Sequence, residues 1–411
     1  MRVWAFPSFY PYTYPGMQYA GIFAHRQYKA LLDHGADLKV IVPVLWSPPF
    51  PFYYLNTNWK EIALYDYPLE RNYDGIKVYH PRISNMKPSK IFRKPYIERY
   101  VEAVTGFFKK NEIKLDSATD IFYSQWLPDA GLVQMAAHKL GVKSAVLGIG
   151  DDVVKFPNKD KKSFDLIDKT LSEADLRFAV AQYVVDAANK LLNKKLPFHI
   201  VRRGVNYDFF APVTEQYKEQ LRGKLNLPSN KMIILTVGLP IIAKGWIDLL
   251  DALAVVKKYN NEFVLHAIYS GHAELDIGQE AINRGLEHNF IHVSDVQPDN
   301  MSQYYNAADI FCLPAHAEGI ANVVTEAMSC GLPVITTSVG GHPELITNDE
   351  NGILIEPKSV NLLSQKLQEL LLNEDYRRKL GGSARQHIVN NWGSFAENSK
   401  KLYDILKSGI K

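Results

Sequence analysis

Cysteine is nearly absent: two residues, Cys312 and Cys330, stand in a chain of 411. Two thiols cannot build a disulfide framework, and both are read as small apolar residues of a strand and a helix. The sequence also lacks a Cys-x-x-Cys pair, an HExxH arrangement among its twelve histidines, and a DxD-type pair at a strand end of the second half. A bound divalent metal is therefore not expected. Excess charge of one sign is lacking as well, since 47 Lys/Arg against 44 Asp/Glu leave a net +3. With no recognition motif either, nucleic acid is not an expected partner. No run approaches the ~20 apolar residues of a membrane span. The opening Met1–Pro7 is broken too early for a signal peptide. A cytoplasmic location, at most peripheral on the inner face of the membrane, is expected.

What is present points to α/β architecture. A chain of this length exceeds one ordinary core and suits two domains of roughly 200 residues. With 46% hydrophobic and 22% charged residues it should be ordered. The start reads as strand (Arg2 to Phe6), loop, helix (Ile22 to His34) and strand (Leu38 to Val42), a βαβ unit that implies a parallel sheet. The loop after the first strand carries Gly16 and Gly21 at the strand ends where such sheets bind ligands. It has no GxGxxG pattern, which argues against a dinucleotide. In the second half, Met232 to Val237, Phe263 to Tyr269, Ile291 to Val293, Ile310 to Pro314 and Val334 to Thr337 read as strands. Helices are expected to begin near Trp246, Glu274, Met301 and Ile320, and everything beyond Val360 reads as helical.

The segment Ala315 to Thr337 holds two glutamates, Glu318 and Glu326, eight positions apart in a neutral stretch. Strand signals on both sides make it a strand-loop-helix-strand unit. Gly319 and Ile320 would lead into a helix whose first N–H groups lack partners and attract an anion. Glu318 then lies in the loop and Glu326 about two turns along. Val323, Val324, Ala327 and Met328 surround Glu326, so its carboxylate needs a donor, which paired ribose hydroxyls would supply. A glycosidase-like carboxylate pair is disfavoured, because two residues at one helix start do not easily straddle a sugar.

With Gly331-Leu332-Pro333-Val334-Ile335 and Gly340-Gly341-His342-Pro343-Glu344-Leu345-Ile346, these glutamates resemble the donor-site signature of the retaining glycosyltransferases of family 4. Further likeness lies in Val201-Arg202-Arg203-Gly204-Val205-Asn206, in Val237-Gly238 with Lys244-Gly245, and in Tyr269 to Glu274. The resemblance implies a GT-B fold, two Rossmann-like domains facing across a cleft. It would place an acceptor-binding domain at 1–203, a nucleotide-sugar-binding domain at 204–390, and a last helix at 391–411 packing back on the first domain. It implies a donor nucleotide-diphosphate sugar, a saccharide or lipid-linked acceptor, and retention with no divalent metal. It assigns the donor sugar to Glu318, the ribose to Glu326, and the diphosphate to Lys244 beside Gly238. Polysaccharide or glycan biosynthesis is the expected setting.

Two departures stand out: Leu239 occupies a position where many members have arginine, and Ile149 one where many have histidine. Arg202 and Arg203 are candidates for the missing guanidinium, since the leaving diphosphate gathers charge. Asp152 is the remaining polar candidate near the acceptor, with a capping role as its alternative. A non-catalytic nucleotide-sugar-binding protein, and a GT-B phosphorylase or epimerase, stay open. Between His80 and Lys114 nine Lys/Arg stand against three Glu, interleaved with aromatics, a pattern suited to an anionic membrane surface or a lipid-diphosphate acceptor, or to a solvated helix face. The proline-broken aromatic runs at Phe9–Tyr14 and Trp46–Tyr54 read as loops able to stack on sugars.

Overall fold

The structure, a computed structural model, describes residues 1–11, 21–46, 67–84, 95–269 and 274–410. It divides into two units, one of residues 1–203 with 395–411 and one of residues 204–394.

The first unit is built on strands β1 (Arg2–Phe6), β2 (Asp37–Ile41), β3 (Val44–Trp46), β4 (Glu70–Tyr73), β5 (Ile76–Tyr79), β6 (Arg82–Ser84), β7 (Asp120–Gln125), β8 (Lys143–Gly148), β9 (Leu176–Ala179) and β10 (His199–Ile200). Eight form one sheet in the order β10-β9-β8-β7-β1-β2-β5-β4, while β3 and β6 pair separately. All neighbours in the large sheet run parallel except β4, which closes antiparallel on β5. The helix Ile22–Asp33 links β1 to β2 as the sequence predicts. Asp120, at the start of β7, is buried under β1. Burial would raise its carboxyl, but donors from Arg2, Trp4 and the Asp116 N–H outweigh it and hold the group below the usual carboxylate range.

The helix Phe395–Ile410 belongs to this unit. Lys143 Nζ donates to the carbonyls of Gly409 (2.8 Å) and Ile410 (3.0 Å), and His34 Nε2 lies 2.9 Å from the Ala396 carbonyl. A lysine at carbonyls that the helix leaves unpaired also faces the negative end of its dipole. The chain leaves the second unit only after Ser394. Trp392 is buried in that unit's core, and the Val205 N–H donates to the Gly393 carbonyl.

The second unit carries β11 (Met232–Val237), β12 (Phe263–Ile268), β13 (Phe290–Val293), β14 (Ile310–Leu313), β15 (Val334–Thr337) and β16 (Ile353–Ile355), all parallel, in the order β13-β12-β11-β14-β15-β16. The short β16 interrupts the region just before the helical end. Each strand is an apolar run because helices cover both faces, and alternate residues feed opposite cores. Ile233, Leu235, Phe311 and Leu313 pack on one face, and Ile234, Ile310, Cys312 and Ile335 on the other. Cys330 lies in the first core and Cys312 in the second, so both are free and buried on opposite faces of the sheet. The helix Trp246–Lys257 turns Trp246, Leu249, Leu250, Leu253 and Val256 into the second core at helical spacing. Among the described residues no helix is long and apolar enough to cross a membrane.

Candidate functional site

In the second sheet β11 has β12 on one side and β14 on the other, so the chain order reverses there and opens a crevice at the carboxyl ends of β11 and β14. The loops leaving those two strands are joined backbone to backbone. Gly245 has φ +70°, and a Cβ on it would stand 1.9 Å from the Pro314 carbonyl oxygen, so only glycine permits this approach. The His316 N–H donates to the Ala243 carbonyl at 2.9 Å. These contacts bring the Lys244 ammonium onto the Glu318 carboxylate, with side chains 21% and 17% exposed. Two residues 74 positions apart in the chain thus share one ion pair.

Neighbouring groups hold the pair in place. His316 Nε2 lies 2.7 Å from Asp248 of the helix Trp246–Lys257. Trp246 Nε1 donates to the Leu239 carbonyl at 2.7 Å, while Tyr269 meets the Trp246 ring edge-on. The Leu239 side chain is about half exposed. Gly238 extends the strand pairing, its N–H donating to Ile268.

The helix after Glu318 spans Asn322–Ser329, so Gly319 and Ile320 form a lead-in rather than its first turn. Glu326 is its fifth residue and sits one turn in, not two. The donor that its burial demands is present in the protein itself: Tyr305 Oη donates to Glu326 Oε2 at 2.8 Å. Burial, and then the charge of Glu326, push the Tyr305 phenol well above its ordinary value, which keeps it a donor. The lead-in is held from its other side. The Gly341 N–H donates to the Gly319 carbonyl at 2.7 Å, and a Cβ on Gly340 (φ +55°) would stand 2.0 Å from the Glu318 carbonyl oxygen. His342 is fully buried, with Nδ1 3.1 Å from both Thr336 Oγ1 and the Thr337 carbonyl. Burial lowers its pKa, so it stays neutral, and a proton on Nδ1 leaves Nε2 facing the Ala321 N–H at 3.5 Å.

In the first unit the order reverses between β1 and β7. Asp152 sits behind the loops there, fully buried, with its oxygens accepting the N–H groups of Leu127 (3.1 Å), Ile149 (3.0 Å) and Gly150 (2.7 Å). Burial pushes its carboxyl up to about 6 against those amides. Asp152 is therefore a loop fastener, the capping or loop role that its place in the sequence favours over a catalytic one. Part of what it fastens is the turn at Trp126, whose φ of +70° is strained for a bulky side chain.

Gly21 (φ +77°) packs on the Phe9 carbonyl, while Gly16 lies outside the described residues. Tyr10 is fully buried against His25, Tyr28 and Tyr73 rather than offered to a sugar, while Phe9 is about half exposed; Tyr12 to Tyr14 and the Trp46–Tyr54 run beyond Trp46 are outside the described residues. Arg202 and Arg203 are both half-buried. Burial lowers the Arg203 pKa against the pull of Tyr123, Asp152, Tyr183 and Tyr28, and it makes no ion pair or hydrogen bond with another described residue.

Sequence reasoning missed Tyr305, the His316–Asp248 pair and Trp126. No local spacing signals any of them. Among the described residues no three His, Cys, Asp or Glu side chains gather as a metal site.

Residues 217–387 match the family described as Glycosyl transferases group 1. The putative teichuronic acid biosynthesis glycosyltransferase TuaC of Bacillus subtilis is 24% identical over 369 residues, 89% of this chain and 88% of that one. The GDP-mannose-dependent monoacylated alpha-(1-6)-phosphatidylinositol monomannoside mannosyltransferase of Corynebacterium glutamicum is 28% identical over 58% of this chain and 63% of its own. A D-inositol 3-phosphate glycosyltransferase of Corynebacterium diphtheriae is 27% identical, the match spanning about half of each chain. Among solved structures, sucrose-phosphate synthase from Thermosynechococcus elongatus superposes with a TM-score of 0.75 at 19% identity, covering 99% of this chain and 100% of that one. Anabaena Alr3699/HepE in complex with UDP-glucose gives 0.72 at 16%, with the same coverage.

Proposed function

From the match of residues 217–387 to the group 1 glycosyl transferases and from the GT-B fold, we propose that this chain is a retaining, metal-independent transferase of that group. It moves a sugar from a nucleotide-diphosphate donor to a hydroxyl of a saccharide or glycolipid. The observation that carries this reading is the Lys244–Glu318 pair at the mouth of the β11/β14 crevice, with the buried Glu326 one turn into the helix that follows. A cation there suits a diphosphate, and two carboxylates suit hydroxyl-rich partners, sugar at Glu318 and ribose at Glu326. The relatives above carry names referring to nucleotide-sugar chemistry and to polysaccharide or phosphoinositide acceptors, which supports a place in cell-surface glycan or glycolipid synthesis.

In the proposed reaction the acceptor hydroxyl forms its bond to the anomeric carbon on the face that the diphosphate leaves. The carbon–oxygen bond to the diphosphate breaks, and the acceptor proton passes to the leaving phosphate oxygen. Lys244 and backbone N–H groups take up the charge that grows on that phosphate, with Arg202 or Arg203 as the added guanidinium. The helix Tyr96–Lys110, in the basic stretch, leaves Tyr96 45% and Ile97 41% exposed beside Arg99 at its start and carries Lys109 and Lys110 in its last turn, which supports contact with an anionic membrane surface.

The test is turnover of UDP- and GDP-sugars with saccharide and glycolipid acceptors, read by NMR at the new anomeric centre, with and without a strong chelator. Retained configuration and chelator-insensitive rates are expected. An inverted product, or complete loss restored by metal, overturns the respective part. Phosphate-dependent turnover or a free epimer would favour the phosphorylase or epimerase reading.

A further inference from the structure

A crevice of about 560 Å³ opens in the first unit between the β5–β6 edge and the helix Tyr96–Lys110, two strands away from β1. Its volume lies within the ~300–1,000 Å³ usual for small-molecule sites. Its walls are apolar in the middle, where Tyr79 and Phe107 pack with ring centroids 5.0 Å apart beside Pro81. Arg82 and Lys110 stand among its lining side chains. Two carboxylates, Glu70 and Glu102, line it as well; Lys77 engages Glu70 at 3.2 Å, and Arg82 donates to the Tyr67 carbonyl. Lys110 makes no ion pair or hydrogen bond with another described residue.

Gly106 is the second observation. It sits inside a 15-residue helix, where glycine is the costliest residue after proline. No close approach requires it, because a Cβ there would meet nothing within 4 Å. The space that the missing side chain leaves is the crevice itself, of which Gly106 is a lining residue. A glycine that weakens its helix without easing a contact is accounted for when an occupant needs the room.

We propose that this crevice binds a single-chain phosphate amphiphile, with the chain over Tyr79, Pro81 and Phe107 and across Gly106, and the phosphate at Lys110 and Arg82. Apolar walls with the Lys110 ammonium at the rim complement such a molecule, whereas a free anion would leave the aromatic wall unused and a neutral chain would leave Lys110 unanswered. The proposal rests on the lipid-facing reading of the helix Tyr96–Lys110.

The experiment is calorimetric titration of the full chain with decyl phosphate below its micelle concentration, alongside decanol, inorganic phosphate and anionic vesicles. One-to-one saturable binding of decyl phosphate is expected, with decanol and phosphate each weaker by about tenfold or more. Gly106→Leu should weaken it about tenfold without lowering the melting temperature, and Gly106→Ala by less. Lys110→Gln should erase the preference for decyl phosphate over decanol. No saturable binding of decyl phosphate, or equal binding by Gly106→Leu, overturns the site. Vesicle binding that ignores Gly106→Leu leaves a lipid surface standing and sinks the crevice; failure of vesicles and amphiphile together sinks both.

Discussion

Replacing Glu318 by glutamine should separate binding from turnover in opposite directions. The Lys244 ammonium is held by the Glu318 carboxylate, both side chains about four-fifths buried. A diphosphate that reaches for Lys244 must share or displace that carboxylate while a second negative charge sits beside it. Two unit charges about 4 Å apart interact by roughly 4 kcal/mol at an effective dielectric of 20, most of which is offset by desolvation of the pair. A charged hydrogen bond nets about 1.5–3 kcal/mol. Removing the competing charge should then tighten free nucleoside diphosphate by about 1–2 kcal/mol, roughly fivefold to thirtyfold. Turnover of the nucleotide sugar should fall by at least about a hundredfold, because the proposed hydroxyl acceptor becomes a weaker partner. Titration of the free diphosphate at low and moderate salt, with steady-state rates, reads both arms, and the tightening should shrink as salt rises. If Glu318→Gln binds nucleoside diphosphate more weakly than the parent, Lys244 is not kept from the phosphate by Glu318, and the division of roles fails.

The other expectations are more compact. Tyr305→Phe removes the phenol that holds Glu326 and should weaken nucleoside diphosphate binding by about 1–2 kcal/mol with turnover at saturating donor nearly intact; unchanged affinity would remove Glu326 from the ribose. Neither ring nitrogen of the fully buried His266 has a partner among the described residues, and burial lowers its pKa to about 4. The native state therefore keeps it neutral while the unfolded chain protonates near 6.5. Stability is complete above about 6.5 and is lost as pH falls toward 4, about 2 kcal/mol by pH 5. His266→Phe should escape that loss; denaturant unfolding at pH 7.5 and 5 showing no widening gap between variant and parent refutes it. Arg202→Ala and Arg203→Ala, singly and together, should lower the rate more than they raise KM, with partial rescue by Leu239→Arg. If all remain within about twofold of the parent, near 0.4 kcal/mol, neither guanidinium serves the diphosphate.

Local pattern made much of the second unit legible. Met232–Val237 and Val334–Thr337 are strands over the same residues that their apolar runs predict, and the helix begins at Trp246 as read. These elements are covered on both faces and end at glycine or polar loops, so nearest-neighbour chemistry alone marks them. The residues of the crevice were legible for a related reason, since a lone carboxylate in an apolar helix is conspicuous in one dimension. The helix after Glu318 was read two residues early because Gly319-Ile320-Ala321 carries no strong capping side chain to mark its start.

What the amino-acid order determined by itself was therefore the alternation of strand and helix, the glycines at tight approaches, and which ionisable groups were out of place. Only the tertiary structure decided their partners. The parallel pairing of β14 beside β11 joins segments separated by a whole crossover, and that strand order sets Glu318 on Lys244. Tyr305 reaches Glu326 because the helix Met301–Ala307 packs over the same face of the sheet. Asp152 is a capping candidate in the sequence, and the structure supplies its partners, three amides from two loops. A carboxylate's function depends on the donors around it, and those donors are set by which elements lie side by side, a relation that no local period along the chain contains.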